Sequence, residues 1–380
     1  MTEKLYYKDA YIKEFSATVL SSVKAEDGYA VTLDRTAFFP EEGGQYSDSG
    51  YIGEARVISV SENGGVITHL TDSPLEVGSR VECKIDFDER YEKMQCHTAE
   101  HILSGLFHSL YGLNNVGFHL GREDVTMDIS RPLTSEEIER VERLANEVIY
   151  ENVTVQALFP SREELVGMEY RSKLDITENV RIIKIGEYDS CACCAPHVAM
   201  TGEIGSIKIL DSAKLRGGMR LFITAGKRAY EVYRKMYDNL SKISHALSVP
   251  RLECGEATLR YVSEHEALLS EYKAFRLRYF ESQSEKILAT DGSVISVYSD
   301  ASIDELRAIA NAAKDRVEKY LVLLSGTDES YKYVIATKSI DLKLEIKNIN
   351  AALGGKGGGS SNMVAGSFTA TLESIRKYFV

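Results

Sequence analysis

The stretch RYEKMQCHTAEHILSGLFHSLYG, residues 90–112, is the part of the sequence around which the chain is organised. Its apolar residues recur at steps of three and four, a period that predicts an amphipathic helix ending near Gly112. On such a helix His97 and His101 lie one turn apart on the same face, so both imidazoles can bind one metal ion. The stretch therefore predicts half of a metal site.

The other half of this site lies near residue 190, in the cluster DSCACCAPHV (residues 189–198). Cys193 and His197 repeat the four-residue spacing and add a thiolate and a third imidazole. Nitrogen and sulfur donors favour zinc over magnesium or calcium, which prefer oxygen ligands. Cys191 and Cys194 remain alternatives to Cys193, although the spacing favours Cys193. We therefore expect one zinc ion per chain.

The composition is that of an ordinary globular protein. With 380 residues, 27% of them charged and 44% hydrophobic, the chain can form two or three domains with cores of their own. The N-terminal residues are charged, and no apolar run reaches the length of a membrane span, so we expect a cytoplasmic protein with no membrane partner. The six cysteines are few and three are clustered, which favours metal binding over a disulfide framework.

The charge distribution bears on nucleic-acid binding. A formal net charge of −12 argues against non-specific coating of nucleic acid, but residues 214–242 hold eight basic and two acidic residues, a local net charge of +6. A solvated helix face is the alternative explanation of this segment. The candidate phosphate-binding residues here are Lys214, Arg216, Arg220, Lys227 and Arg228.

The pattern of elements predicts an α+β multidomain protein. Short alternating strands with a glycine-rich GGQ loop predict a small β-barrel over residues 1–88. Interleaved helices and strands predict an α+β domain over 89–226, and two long helices broken near Pro250 predict a helical arm over 227–289. Residues 290–380 read as a separate α/β domain.

A run of glycines, GGKGGG, follows a predicted helix at residues 354–359. It lacks the serine or threonine after lysine that a nucleoside-triphosphate loop requires. We expect a packed loop whose amides cradle an anion beside Lys356, with a flexible linker as the alternative.

Several of these motifs together resemble the editing half of alanyl-tRNA synthetase and its freestanding AlaX-type relatives. They extend over nearly the whole chain in the order found in that family, which makes the combination specific. The C-terminal motif resembles the DHH-associated domain, so the chain looks like the long form of the freestanding editor. The matching stretches are LDRTAFFPEEGGQYSDSG (33–50), HTAEH (97–101), CCAPHVAMTGEIG (193–205), GMR (218–220) and GGKGGGSSNMVAGSF (354–368).

The resemblance implies a hydrolase that deacylates tRNA(Ala) mischarged with serine or glycine. It makes 89–226 the zinc-dependent editing domain and 290–380 the DHH-associated domain, with no room upstream for an amino-acid-activating domain and hence no aminoacylation. Thr36 corresponds to a threonine associated with recognising the serine hydroxyl, and Gln45 lies in the GGQ loop. The residues that correspond to the zinc ligands of the family are His97, His101, Cys193 and His197.

One departure from the family pattern falls between two of these ligands. The family usually reads Cys-Gly-Gly-Thr-His, whereas this chain has Cys194-Ala195-Pro196, so the hydroxyl and one amide donor are missing. Glu100 is a candidate general base, although helical geometry favours an exposed residue in a salt bridge. A tRNA-binding module with a purely structural zinc, and a zinc hydrolase of a small ester or amide, are the alternative functions. The helical arm and the C-terminal domain are candidate surfaces for a homodimer.

Overall fold

The computed structural model describes residues 1–172 and 180–380. The chain divides into two compact units, Met1–Asn239 (unit 1) and Leu240–Val380 (unit 2), and each is described by itself. Both units combine helices and sheets, which confirms the predicted α+β multidomain class. Within the described residues, no helix combines the length and the apolar character needed to cross a lipid bilayer.

Unit 1 begins with a closed six-stranded barrel in the order β2-β3-β7-β6-β5-β8, beside the short parallel pair β1 and β4. Apolar side chains alternate along its strands, and Val31, Leu33 and Ile67 fill the interior with no exposed surface. The strands are β1 (Glu3–Lys4), β2 (Glu14–Ala25), β3 (Gly28–Leu33), β4 (Arg35–Thr36), β5 (Gly50–Ile52), β6 (Ala55–Asn63), β7 (Val66–Thr71) and β8 (Arg80–Ile85).

The glycine-rich loop between β4 and β5 leaves the barrel and packs against the rest of unit 1. Gly44 has a φ of 80°, and a Cβ atom there would lie 2.3 Å from the carbonyl oxygen of Phe118, so only glycine fits. The carbonyl of Gly44 accepts a hydrogen bond of 2.7 Å from the amide of Leu120. The paired glycines therefore serve a close backbone contact.

The predicted histidine helix is confirmed as α1 (Phe87–Tyr111), which ends at Gly112 in the left-handed conformation with φ 64°. Every residue from Lys93 to Phe107 is buried, so the helix is enclosed on all sides. A Cβ atom on Gly105 would lie 2.2 Å from the carbonyl oxygen of Tyr188. This close approach brings the helix onto the strands that carry the cysteine cluster.

The remaining elements of unit 1 surround α1 with two antiparallel sheets, ordered β14-β15-β10-β9 and β11-β12-β13. Capping boxes that begin at Thr134 and Ser161 stabilise the first turns of α2 and α3. These elements are β9 (Asn115–Leu120), β10 (Val125–Ile129), α2 (Ser135–Glu151), β11 (Val155–Leu158), α3 (Arg162–Val166), β12 (Ile182–Ile185), β13 (Asp189–Ala192), β14 (Ile207–Leu215) and β15 (Gly218–Ala225).

Two long helices follow, α4 (Gly226–Leu247) and α5 (Cys254–Ser282), with Pro250 between them as predicted. In unit 2, α5 is followed by a five-stranded sheet in the order β16-β17-β18-β20-β19. Its elements are β16 (Val294–Tyr298), α6 (Ile303–Ala313), β17 (Leu321–Thr327), β18 (Ser330–Ala336), α7 (Leu342–Leu353), β19 (Lys356–Gly359), β20 (Met363–Phe368) and α8 (Leu372–Phe379).

The prediction that the glycine run is a loop is wrong, whereas anion binding beside Lys356 stays a prediction. Residues 356–359 form the edge strand β19, whose register pairs it with β20. A Cβ atom on Gly357 would lie 2.4 Å from the carbonyl oxygen of Ala365, so the glycines allow close strand packing. The preceding helix α7 also presents its C-terminal end, which carries partial negative charge and does not attract anions. Lys356 is exposed on this strand.

Candidate metal centre

Four side chains come together in unit 1 and form what we call the metal centre: His97, His101, Cys193 and His197. Their ligand atoms all lie within 4.8 Å of one another. Helix α1 supplies the first two, and the segment after β13 supplies the other two. The three histidines are buried and Cys193 is half-buried. The structure thus brings together all four predicted ligands from two distant parts of the sequence.

The distances within the metal centre fit a tetrahedral ion. The Cys193 Sγ atom lies 3.4 Å from His197 Nε2 and 3.7 Å from His97 Nε2. Zinc bonds of about 2.0–2.1 Å to nitrogen and about 2.3 Å to sulfur, at tetrahedral angles, separate such donors by roughly 3.5 Å. The Nε2 atoms of His97 and His197 and the Sγ atom of Cys193 are therefore spaced as the ligands of one tetrahedral zinc ion are.

The three histidines of the metal centre are oriented by hydrogen bonds from Nδ1. His97 donates to Oε1 of Gln45 (2.9 Å), and His101 donates to Oδ2 of Asp189 (2.9 Å). His197 donates to the hydroxyl oxygen of Thr98 (3.0 Å). Each bond fixes the ring and leaves Nε2 as the ligand atom, an arrangement typical of metal-binding histidines. Among these partners only Gln45 was singled out from the sequence.

Asp189 connects the metal centre to a second charged group. Its carboxylate receives two hydrogen bonds from Arg171, from Nε (2.7 Å) and Nη2 (2.9 Å). The chain Arg171–Asp189–His101 holds the imidazole in place through the buried carboxylate of Asp189 and the half-buried guanidinium of Arg171. Asp189 opens the quoted cysteine cluster, but its pairing with His101 spans 88 residues, which no local pattern reveals.

The electrostatics of the metal centre favour metal-binding forms of two ligands. Burial alone would raise the pKa of the Cys193 thiol, but His97 and His197 lower that pKa well below its usual value. Burial lowers the pKa of His197 to about 3, so the ring is neutral near neutral pH. Burial also opposes the charged form of His101, but the Asp189 hydrogen bond raises its pKa well above the usual value. Metal binding at His101 therefore displaces a proton.

Cys191 and Cys194 are placed less favourably as ligands. Cys191 lies with His101 and Asp189 in a second group of donors, but Asp189 already accepts the hydrogen bond that orients His101. Burial raises the pKa of the Cys194 thiol, and the neighbouring Cys193 raises it further. A thiol that resists ionisation is a poor metal ligand. This geometry agrees with the spacing argument for Cys193.

A cavity of about 500 Å³ opens onto the metal centre. Its wall includes His97, His101 and Cys193, the GGQ loop at Gly43 and Gly44, and the ring of Phe118. The Phe118 ring centroid lies 4.8 Å from that of His97. The cavity is therefore a site where a substrate can reach the ligand residues.

Glu100 also lines this cavity, which corrects the prediction that it is an exposed residue in a surface salt bridge. It is 5% exposed, and its Oε2 lies 4.0 Å from Nε2 of His101. Ser104 and Asn115 donate hydrogen bonds to its Oε1. Because α1 is enclosed on all sides, the helix has no exposed face to which Glu100 can turn.

Thr36 and Gln45, the two other site residues that the family resemblance implies, are both fully buried. The Thr36 hydroxyl donates to Nε2 of His69 (2.9 Å) and accepts from the amide of Phe38 (3.1 Å), and Thr36 is not among the cavity-lining residues. Gln45 Oε1 accepts from His97, whereas its buried Nε2 has no hydrogen-bond partner in the described part of the chain. Gln45 is thus in direct contact with a predicted ligand, and Thr36 belongs to the barrel core.

A buried ion cluster that sequence reasoning missed fixes the GGQ loop against α1. Arg90 and Lys93, both fully buried, pair with Asp48 at the end of that loop. Burial would raise the pKa of Asp48, but the two cations lower it to about 2. Arg90 also donates to the carbonyl of Ala37 (2.6 Å) at the start of the loop. The cluster holds both ends of the loop that positions Gln45.

Three of the predicted phosphate-binding residues are engaged within the protein. Arg220 makes two hydrogen bonds to Asp128 (2.8 and 2.9 Å), and Lys227 forms an ion pair with Glu92 (3.1 Å). Arg228 donates to the carbonyl of Gly121 (2.9 Å) and to the Tyr46 hydroxyl (3.2 Å). By contrast, Lys214 near the end of β14 and Arg216 in the turn before β15 are both exposed.

Comparisons with known proteins place the chain among enzymes that act on tRNA. Residues 180–222 match the threonyl and alanyl tRNA synthetase second additional domain, and residues 2–89 match the class II (A) tRNA synthetases. The alanyl-tRNA editing protein AlaX-L of Pyrococcus horikoshii is 30% identical over 99% of this chain and 96% of its own length. The alanine–tRNA ligase of Halorubrum lacusprofundi is 33% identical over 88% of this chain.

The chain spans only 38% of that ligase and 42% of the alanine–tRNA ligase of Ignicoccus hospitalis. Among solved structures, the C-Ala domain of the Aquifex aeolicus alanyl-tRNA synthetase matches 24% of this chain at 20% identity, with a TM-score of 0.21. A TM-score of that size does not establish a common fold.

Proposed function

The chain belongs to the family of alanyl-tRNA editing proteins, and from that premise we propose that it is a zinc-dependent hydrolase that deacylates tRNA(Ala) mischarged with serine, and also with glycine. The observation that carries the proposal is the metal centre itself, whose three histidines are oriented by Nδ1 hydrogen bonds and whose ligand residues line a cavity of about 500 Å³. AlaX-L of Pyrococcus horikoshii, which matches 99% of this chain, is named as an alanyl-tRNA editing protein.

In this proposal one zinc ion per chain is held by His97, His101, Cys193 and His197. When bound, zinc supplies a Lewis acid that polarises an oxygen ligand. Four protein donors are typical of closed structural sites, however. This favours an ion that orients the substrate over one that itself activates the attacking water. The remaining chemistry then falls to the residues of the cavity wall.

Glu100 is the residue placed best to accept a proton from an attacking water. Its carboxylate is buried at the cavity wall, beside His101, and is held by Ser104 and Asn115. A fixed carboxylate in a water-poor site is a suitable general base. Gln45 acts through His97, whose ring it orients, and its second amide atom remains available as a donor within the same site.

Binding of the tRNA body is assigned to exposed basic residues outside the cavity. Lys214 is exposed near the end of β14, Arg216 is exposed in the turn that follows, and Lys356 is exposed in unit 2. Arg220, Lys227 and Arg228 contribute to tRNA binding only if they exchange their present partners for phosphates. A homodimer through α5 is also proposed, because Leu259, Leu268 and Phe275 expose 60–68% of their surface along that helix.

The metal centre also supports a second function, a tRNA-binding module in which zinc has no part in catalysis, because closed four-donor sites are usually structural. A deacylation assay separates the two. We expect the zinc-loaded protein to hydrolyse Ser-tRNA(Ala) faster than Ala-tRNA(Ala), to lose this activity with chelator and to regain it with added zinc. The Glu100→Gln variant, which keeps the size of the side chain, should bind zinc and lose most turnover.

If the folded, zinc-loaded protein binds Ser-tRNA(Ala) without hydrolysing it, the binding-module function is correct. Turnover of small serine esters with no gain from attached tRNA would instead identify a general esterase. The Glu142→Gln variant is a matched control, because Glu142 is bound to Lys208 and neither residue lines the cavity. It should leave turnover unchanged.

A further inference from the structure

Arg181 is a buried cation in the wall of the same cavity. It is only 8% exposed, and it lies one residue before β12. Its Nη1 donates to the carbonyl oxygens of Cys193 (2.9 Å) and Ala195 (2.8 Å). Its guanidinium also lies over the ring of Tyr7, 5.3 Å from the centroid. The group is therefore held rigidly against the loop that carries two ligands of the metal centre.

Arg181 forms no ion pair with a carboxylate among residues 1–172 and 180–380, and the nearest group that can carry a negative charge is the Cys193 thiol, a ligand of the metal centre. Its Nε is buried and makes no hydrogen bond there, and Nη2 makes none with any described residue. Arg171, which lines the same cavity, differs because its Nε and Nη2 both donate to the carboxylate of Asp189. An arginine stays protonated, and a buried charge is costly when no carboxylate pairs with it and the nearby thiolate is committed to a metal ion. The fold thus maintains a positive charge at the cavity wall that an incoming anion would neutralise.

The chemistry of the proposed substrate limits which anion this is. In an aminoacyl ester the carboxylate of the amino acid is consumed in the ester bond, and its amino group is a cation. The negative charge nearest to the reacting ester is the phosphodiester on the 5′ side of the terminal ribose. A planar guanidinium suits phosphate oxygens, with which it forms charge-assisted hydrogen bonds.

We propose that Arg181 binds the phosphodiester of the terminal nucleotide and so directs the ester towards the metal centre. The inference rests on the proposed deacylase function and adds to it a positioning residue within the cavity. Because Nη1 holds the Cys193 carbonyl, the phosphate contact and the thiolate ligand belong to one rigid segment. The site then favours a substrate whose last phosphate lies at a fixed distance from the ester. A simple serine ester has no such phosphate.

Two pairs of small molecules test this contact. The first pair is the seryl ester on the ribose 2′ or 3′ hydroxyl of adenosine 5′-monophosphate and the same ester of adenosine, which differ only in the 5′-phosphate. The second pair is the unacylated nucleotide and nucleoside. We expect the protein to hydrolyse the phosphorylated ester with a kcat/KM higher by on the order of tenfold or more, mostly through KM, as uniform binding requires. In NMR titrations it should bind adenosine 5′-monophosphate more tightly than adenosine by a similar factor.

Variants at the two arginines of the cavity show which one makes the contact. In Arg181→Gln both phosphate preferences should fall to near one, and in Arg181→Lys they should be intermediate. In the matched control Arg171→Gln the preferences should persist, whatever happens to the absolute rate. Zinc content is measured for each variant, because Arg181 also holds the Cys193 loop.

Equal binding of nucleotide and nucleoside by the unmodified protein overturns the role of Arg181, and this result needs no variant to fold. A preference that survives in zinc-loaded Arg181→Gln overturns it as well. If neither ester is hydrolysed while the nucleotide preference is present and depends on Arg181, the phosphate contact stands and the deacylase function is the part that fails.

Discussion

Two environments for buried histidines occur side by side in unit 1. In the barrel, His69 uses both ring nitrogens, with Nδ1 donating to the carbonyl of Val31 (3.2 Å) and Nε2 accepting from the hydroxyl of Thr36 (2.9 Å). In the metal centre, His97, His101 and His197 each use Nδ1 for a protein partner and turn Nε2 towards a shared point. Burial is nearly complete in both regions.

The difference shows that burial and residue type do not mark a ligand. A histidine whose two nitrogens both have protein partners is a satisfied core residue, whereas one with a single fixed nitrogen has a ligand atom to offer. Burial lowers the pKa of His69 to about 4, so this ring is neutral and needs no metal. The predictions below test that contrast, beginning with the largest effect.

Removing the thiolate of the metal centre should have the largest effect. We expect Cys193→Ala to abolish deacylation and to lower zinc affinity by more than about 100-fold. Loss of a residue that only hydrogen-bonds a ligand costs at most roughly 100-fold. The matched control Cys194→Ala removes the adjacent thiol, which also lines the cavity, and should keep zinc affinity. Affinities are measured by competition with a chromogenic chelator. Loss of zinc in Cys194→Ala with retention in Cys193→Ala would reverse the ligand assignment.

Acid should destabilise the protein through the barrel histidine. The folded-state pKa of His69 is about 4, below the ordinary value of 6.5, because burial opposes the charged ring. The folded state therefore binds fewer protons than the unfolded state between these values. Stability from this group is fully present above pH 6.5, falls as pH drops towards 4, and levels off below that, a loss of about 3 kcal/mol.

Urea unfolding at several pH values measures this loss. The His69→Gln variant should show a shallower decline in the free energy of unfolding between pH 6.5 and 4 than the unmodified protein. The control His108→Gln removes an exposed histidine at the end of α1. The same decline in all three proteins would show that His69 titrates as an exposed residue does.

The outer partners of the metal centre should matter less than the ligands. Thr98→Val keeps the shape of the side chain but removes the acceptor for Nδ1 of His197. We expect zinc affinity to fall about 10–100-fold, with the fold retained. An unchanged affinity would mean that the Thr98 hydrogen bond does not orient the ring.

The smallest effect is expected from the equivalent change in the barrel. Thr36→Val removes the donor to His69 Nε2, so we expect a loss of about 1 kcal/mol in stability, the net cost of one buried hydrogen bond. Zinc affinity and the Ser/Ala preference in deacylation should not change, because the hydroxyl is directed to His69. A relaxed Ser/Ala preference would instead establish the contact with the serine hydroxyl that the family resemblance implies.

The sequence predicted the parts of the site that depend on local spacing. The helix over 90–112 and the two four-residue ligand pairs follow from period and residue type, and the structure has both. The hydrogen bonds that orient the rings join residues 52, 88 and 99 positions apart, so no local pattern contains them. The role proposed for Arg181 likewise has no local sequence pattern, because it depends on the position of the guanidinium in the cavity wall.

Two predictions failed because a local pattern has more than one tertiary outcome. Glu100 was expected on an exposed helix face, but α1 is enclosed on all sides and the residue is buried at the cavity wall. The glycine run was expected to be a loop, but β20 provides a partner strand and converts it into an edge strand. In both cases the packing partner is distant in sequence and decides the result.

X-ray absorption at the zinc edge of the purified protein is the most direct test of the central claim, that four donors from two segments enclose one ion. The account predicts one zinc per chain, with three nitrogen donors at about 2.0 Å and one sulfur donor at about 2.3 Å. Two sulfur donors, or a shell of oxygen and nitrogen without sulfur, would contradict it.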